Sequence, residues 1–273
     1  MNRLWIGLGS VLALTAIGTY LWLRQTPPQL PSPAESAPAV APPAAAPAKP
    51  AIEFPVTAPS GTTELPPLDQ ADNFVRDRLA ELLGADKLAK HILVEGFVRR
   101  VVATVDNLAR PLAPPSRWPI HLTPGRFTIE TAQDGSVIGA KNAARYAPFV
   151  ALVESVDTER AVALYRLLYP LFQGAYEALG YPGKYFNDRL VAVIDLLLAT
   201  PDASGALRVE LPEFPGPLKP TRPWVLYRYA DPAWEGLASG QKMLLRMGKD
   251  NERRLKSKLA EIRKLLVKDK LSR

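Results

Sequence analysis

The feature that most limits what this chain can fold into is the stretch from Thr26 to Pro67, where thirteen of 42 residues are Pro and ten are Ala. With a single aromatic, Phe54, and few charges, it has too little apolar surface to recover the entropy of ordering, and no core can form there. Such a tract is a semi-rigid spacer, and fully in polyproline II geometry it would reach on the order of 130 Å as an upper bound. It divides the chain into residues 1–25, a linker at 26–67, and 68–273, the part able to fold.

Ahead of the spacer, Leu4 to Leu23 form a run of twenty uncharged, mostly apolar residues between Arg3 and Arg24, with Trp5, Tyr20 and Trp22 near its ends. That length and those aromatics fit a membrane-spanning helix with interfacial anchors. A cleavable signal has a shorter apolar stretch, about 7 to 15 residues. Ala16 and Gly18 keep cleavage and secretion open as the alternative. The charge difference across the span is slight, and the short amino terminus is placed on the cytoplasmic side.

A net charge of +7 looks like a nucleic-acid or membrane signal until it is located. Residues 242–273 hold twelve Lys/Arg against four Asp/Glu, and residues 68–241 hold nineteen against twenty. The basic character therefore belongs to one terminal segment. The chain has no cysteine, which excludes disulfides, thiol nucleophiles and thiolate metal sites and is compatible with an oxidising compartment. Its two histidines, His91 and His121, are thirty residues apart on unlike segments, too few for a histidine metal centre. No metal or cofactor is expected.

From Leu68 the pattern predicts a mainly α domain with one or two small β-hairpins. Asp69 is read as the cap of a helix ending at Gly84, and Asp86 as the cap of a second running to about Leu108. Prolines 111–124 enforce a loop, and Phe127 to Val137 around Asp134-Gly135 reads as a hairpin. Asn142 and Asp157 are candidate caps for two further helices, the second closed by Gly180 and interrupted by Pro170, where a kink or break at Tyr169 is expected. Asn187 is read as the cap of a helix ending before Pro201. Leu207–Leu211 and Trp224–Tyr229 read as extended, Asp231-Pro232 as a helix start, and Gly248 as an interruption. A basic amphipathic helix follows at about 250–270, with Leu255, Leu259, Ile262 and Leu266 on one side.

The stretch Leu164-Tyr-Arg-Leu-Leu-Tyr-Pro-Leu-Phe-Gln173, with Leu179-Gly-Tyr-Pro-Gly183 and Tyr185-Phe-Asn-Asp-Arg-Leu190, resembles the bacterial domain of unknown function 3014 family. So do Val105-Asp-Asn-Leu108, Tyr229-Ala-Asp-Pro232, Gly240-Gln-Lys242 and Leu245-Arg-Met-Gly248 with Asn251, over about residues 70–265 in consistent order. The resemblance implies an amino-terminal membrane segment and a proline-rich linker. It implies no activity, cofactor or catalytic residue.

Tyr165, Tyr169 and Tyr176 lie four and seven residues apart beside Arg166, with Tyr181 and Tyr185 beyond the turn. Such rings stack on sugars or bind peptides, or else line a helix interface with each hydroxyl at its edge. Asp188 and Asp195 share a helix face, and Arg189 is next to the first. Glycoside hydrolysis needs carboxyls roughly 5 to 10 Å apart, and two helical turns already separate backbones by about 10.5 Å. Salt bridges with Arg166, Arg189 or Arg246 are therefore expected instead. Asp106-Asn107 caps, turns or pairs with arginine. Gln241 and Arg246 complete the candidate binding set, and no residue is assigned a catalytic role.

The basic helix lies on an anionic membrane, binds an acidic polymer, or is a solvated face packed by its leucine stripe, the last being the default. Together these features describe a single-pass protein of the bacterial inner membrane, anchored through residues 4–23, whose domain in the periplasm binds a protein partner or cell-wall polymer without being an enzyme. Nucleic acid is not an expected partner. The alternative is an envelope hydrolase using Glu177, Asp188 and Asp195, with the last two on the helix at 187–200.

Overall fold

The computed structural model describes residues 51–57, 64–213 and 220–268. The expected span at 4–23 and most of the Pro/Ala tract lie outside the described residues. Among the described residues no helix is long and apolar enough to cross a membrane. The described part is mainly α-helical with one small antiparallel sheet.

Helices α1 (Asp72–Leu83) and α2 (Ala85–His91) meet at Gly84, which takes φ 84°. Asp69 is not the cap expected of it: it lies in a 3₁₀ turn, Leu68–Gln70, and pairs with Arg99. Nor does Asp86 open one long helix to Leu108. Ile92 leaves helical geometry to bridge Ile120, and Gly96 at φ 62° turns the chain into α3 (Phe97–Leu108). That bridge sets His121 N–H on the His91 carbonyl at 3.0 Å, so the two histidine segments are neighbours after all. Burial, with Lys90 and His121 nearby, holds the His91 imidazole below its usual pKa.

The expected hairpin is present as β1 (Ile129–Ala132) and β2 (Gly135–Ile138), turning at Gly135 with φ 120°. It does not stand alone. β3 (Arg208–Glu210) adds to β2 and β4 (Arg228–Tyr229) adds to β3, giving a sheet of order β1-β2-β3-β4, antiparallel throughout.

Between the hairpin and β3 run α4 (Lys141–Ser155), α5 (Thr158–Ala178) and α6 (Phe186–Leu198). Asp157 caps α5 as expected, accepting from Arg160 N–H at 2.7 Å, and Gly180 follows at φ 111°. Pro170 does not break α5. An interior proline costs about 3 kcal/mol, but Leu168, Leu171 and Phe172 bury on either side of it, each contributing about 1.5–3 kcal/mol. Asn142 and Asn187 are not caps. Both lie inside their helices and are almost wholly buried, with partners elsewhere in the fold. Asn142 bridges Thr128 N–H and C=O and the Gly139 carbonyl, fastening the hairpin to α4.

The chain ends in α7 (Pro232–Glu235), α8 (Ser239–Arg246) and α9 (Lys249–Leu266), with Asp231 capping α7 through Ala233 N–H and Gly248 at φ 85° separating α8 from α9. Val98, Val102 and Val105 of α3, Leu168 and Phe172 of α5, Val193 and Leu197 of α6, Leu244 of α8 and Leu255 of α9 form one central core. Leu266 closes a second cluster with Val162, Val191 and Ile194. The basic helix therefore packs by its leucine stripe across α4, α5 and α6, and several of its cations are spent there. Arg254 pairs with Glu154, Arg263 with Asp195, and the Lys256 and Lys258 ammoniums donate to the carbonyls of Thr200 and Val156 at 2.7 Å each.

Candidate functional site

The first turn of α6 presents Asn187 and Asp188 on adjacent positions, so one turns into the helix packing and the other to its rim. Asp188 receives main chain from the segment the composition reads as linker. Its Oδ2 accepts Glu53 N–H at 3.0 Å and its Oδ1 accepts Phe54 N–H at 2.8 Å. Asn187 completes the grip, its Nδ2 donating to the Phe54 carbonyl at 2.8 Å. In a straight strand successive N–H groups point to opposite sides, so one carboxylate collects two of them only where the chain bends, as it does at Glu53 and Phe54. Phe54 packs on the cluster of Val162, Val191, Ile194 and Leu266, while Pro55 and Val56 are half-buried.

Behind this clamp stands the tyrosine stripe. Tyr165 OH donates to Asn187 Oδ1 at 3.0 Å, which orients the amide so that its NH₂ faces the bound segment. Tyr169 OH donates to Gln173 Oε1 at 3.1 Å, and the same oxygen accepts Phe186 N–H at 2.9 Å. Tyr165, Phe172 and Phe186 share one ring cluster, with centroids 5.5 Å apart for Tyr165–Phe172 and 5.7 Å for Phe172–Phe186. The tyrosines are thus interface residues with hydroxyls at the edge, the second of the two roles open to them. Burial raises the pKa of the Tyr165 and Tyr169 phenols, Tyr169 to about 12 despite the opposing Asn187 N–H.

Tyr176 belongs to a different node. It is buried and stacked on Tyr181 at 4.6 Å, and the Tyr181 hydroxyl donates to the buried Asp106 carboxylate at 3.1 Å. Arg110 and Arg189 pair with the same carboxylate at 2.8 and 3.1 Å, and Arg189 also donates to the Asp106 carbonyl. One carboxylate thus ties α3, the turn after α5, and α6 together.

The other predicted site residues are dispersed. Asp195 does not pair with Arg166, Arg189 or Arg246; its partner is Arg263. Arg166 donates to the Leu265 carbonyl at 3.0 Å, the buried Gln241 to the Leu196 carbonyl at 3.1 Å, and Arg246 to the Tyr227 carbonyl at 2.7 Å while lying over the Phe127 and Tyr229 rings. Arg246 also lines an open cavity of about 380 Å³ between the end of β2, residues 203–207 and the α8–α9 junction. Glu177 accepts from Gln173 Nε2 at 2.8 Å. Each of the three carboxylates proposed for hydrolysis therefore has a different partner. Among the described residues no group of three or more His, Cys, Asp or Glu is placed to hold a metal ion.

A family model described as "Protein of unknown function (DUF3014)" matches residues 97–263, from the first residue of α3 into α9. The chain belongs to this family. The DUF3014 region contains Asn187, Asp188, the tyrosine stripe and the Asp106 node, whereas the docked segment 51–57 lies ahead of it. No match is found among curated proteins or among solved structures.

Asp188 and Tyr165 stand out in the sequence, whereas Asn187 and Gln173 do not show as a connected unit, because their partners are 133 and 13 residues away. The only signal for the docked segment is Phe54 before Pro55, the sole aromatic of the tract.

Proposed function

We propose that this protein is a membrane-tethered, non-enzymatic binding module of the bacterial cell envelope, with the span at 4–23, the domain in the periplasm, and Asn187–Asp188 as its contact for a protein partner. The observation that carries the reading is the clamp itself: two side chains at one helix start hold three main-chain groups of a peptide segment, with an apolar seat for one ring. Main-chain hydrogen bonds with a side-chain pocket are the general means by which folded domains take up short peptides. The tether favours a partner met away from the bilayer. The hydrolase alternative draws no support from carboxylates separately engaged with Gln173, main-chain amides and Arg263.

The test is crosslinking in intact cells followed by purification of the full-length protein, comparing wild type with Asp188→Asn. A specific envelope protein recovered with wild type and reduced at least fivefold by the substitution is expected. Equal recovery, or retention on isolated cell wall with no protein partner, contradicts the reading.

A further inference from the structure

The three hydrogen bonds of the clamp engage only backbone atoms of Glu53 and Phe54, so they carry no information about side-chain identity. Selectivity has to come from what surrounds them. Phe54 sits on the apolar cluster at the α5–α6–α9 junction, and Pro55 restricts the residue before it to extended geometry, fixing the exit from the bend. Ile52 remains 47% exposed, so the seat begins at the bend and runs through Phe54, Pro55 and Val56.

We propose that residues 51–57 are a built-in ligand of the clamp, and that the partner's contact is a short peptide of the same chemistry: a bend offering two consecutive N–H groups, an aromatic residue at the second, then proline. The inference rests on the reading of Asn187–Asp188 as a peptide site and adds how that site is regulated. A strap joined to the domain by a few residues is present at an effective concentration of order 1 mM. If its own Kd is about 0.1 mM, an outside peptide of the same class is weakened about tenfold until it displaces the strap. Displacement returns seven residues to the tether, about 20 Å of added reach in polyproline geometry. Partner capture and tether length are then coupled in one exchange.

The experiment uses full-length protein in detergent micelles and a fluorescent heptapeptide with the sequence of residues 51–57, read by anisotropy. The Phe54→Ala chain, with its own strap loosened, is expected to bind the peptide severalfold more tightly than wild type, with about tenfold as the ceiling set by full release of the strap. Adding Asp188→Asn to Phe54→Ala, which leaves one acceptor and turns an NH₂ toward the other N–H, is expected to lose that gain. A peptide N-methylated at the phenylalanine is expected to bind at least fivefold more weakly, and this arm alters no residue of the protein, so it stands if Asp188→Asn fails to fold. Equal binding to wild type and Phe54→Ala, no binding to either, or indifference to N-methylation overturns the proposal. In cells, an Asp188-dependent partner recovered equally with wild type and Phe54→Ala refutes the strap and leaves the binding module standing. The peptide results without any cellular partner keep the strap and remove the module's proposed role.

Discussion

Asp106 is 4% exposed and has two guanidiniums and a phenol around it, so its charge is fully compensated only while all of them stay in place. Removing one member of a buried ion pair leaves the other charge uncompensated, at about 3–5 kcal/mol. Asp106→Asn is expected near the lower figure because Arg110 reaches solvent, lowering Tm by about 10 °C for a domain of this size. Asp250→Asn, breaking a pair in which both side chains are largely exposed, should change stability by under about 0.5 kcal/mol. Thermal unfolding of the two variants side by side checks the contrast. The phenols set a second, pH-dependent expectation. Tyr165, Tyr169 and Tyr229 have pKa values raised by burial, so above pH 10 the unfolded chain gives up protons that the native state keeps. Their stabilising contribution is complete below pH 10 and is lost as pH climbs, at about 1.4 kcal/mol per pH unit for each phenol. Tyr169→Phe should make the fall shallower between pH 10 and 12, measured by urea unfolding across that range.

At the scale of elements, the contact of α8 with α3 and α6 depends on a missing side chain. A Cβ at Gly240 would meet Leu197 Cδ2 at 2.6 Å and the Leu108 carbonyl oxygen at 3.1 Å. Gly240→Ala is expected to cost about 1–3 kcal/mol despite alanine's better helix propensity, which would give about 1 kcal/mol the other way on an open helix face. A urea titration that showed stabilisation would contradict this packing. The same elements show where the sequence is legible. Asp157 and Asp231 are found as caps because a cap acts on N–H groups two or three residues ahead, and Gly84, Gly180 and Gly248 because positive φ is a local demand. Asn142 and Asn187 have the same local pattern but serve partners at Thr128 and Phe54, which no window around them contains. The uninterrupted α5 and the split after His91 fail for one reason: tertiary burial outweighs a proline in the first, and the Ile92–Ile120 bridge outweighs helical periodicity in the second. Of the candidate site, the tyrosines and Asp188 are readable as residues. Their grouping is not, and Asp195 meets Arg263 across 68 residues of chain.

For the whole molecule, charge and tether have to be read together. The basic carboxy-terminal helix gives the chain its positive balance, yet Arg254, Lys256, Lys258 and Arg263 are engaged with the domain. Arg263→Ala should weaken the α6–α9 junction by about 1 kcal/mol, the scale of a half-exposed pair, with little effect on binding to anionic vesicles. The proposed topology has its own check: in cells whose outer barrier has been opened, added protease should release the domain and leave a membrane-retained amino-terminal fragment. Protection until the inner membrane is lysed would place the domain on the other side. Asp188 holds the Glu53 and Phe54 main chain against the domain, so amide hydrogen exchange at these two residues in the full-length protein reads the clamp without an outside ligand. Slow exchange of the Phe54 amide in wild type, and exchange at least tenfold faster in Asp188→Asn while the α3 and α5 amides stay protected, is the expected result. Rapid exchange at both amides in the wild-type protein would contradict the clamp.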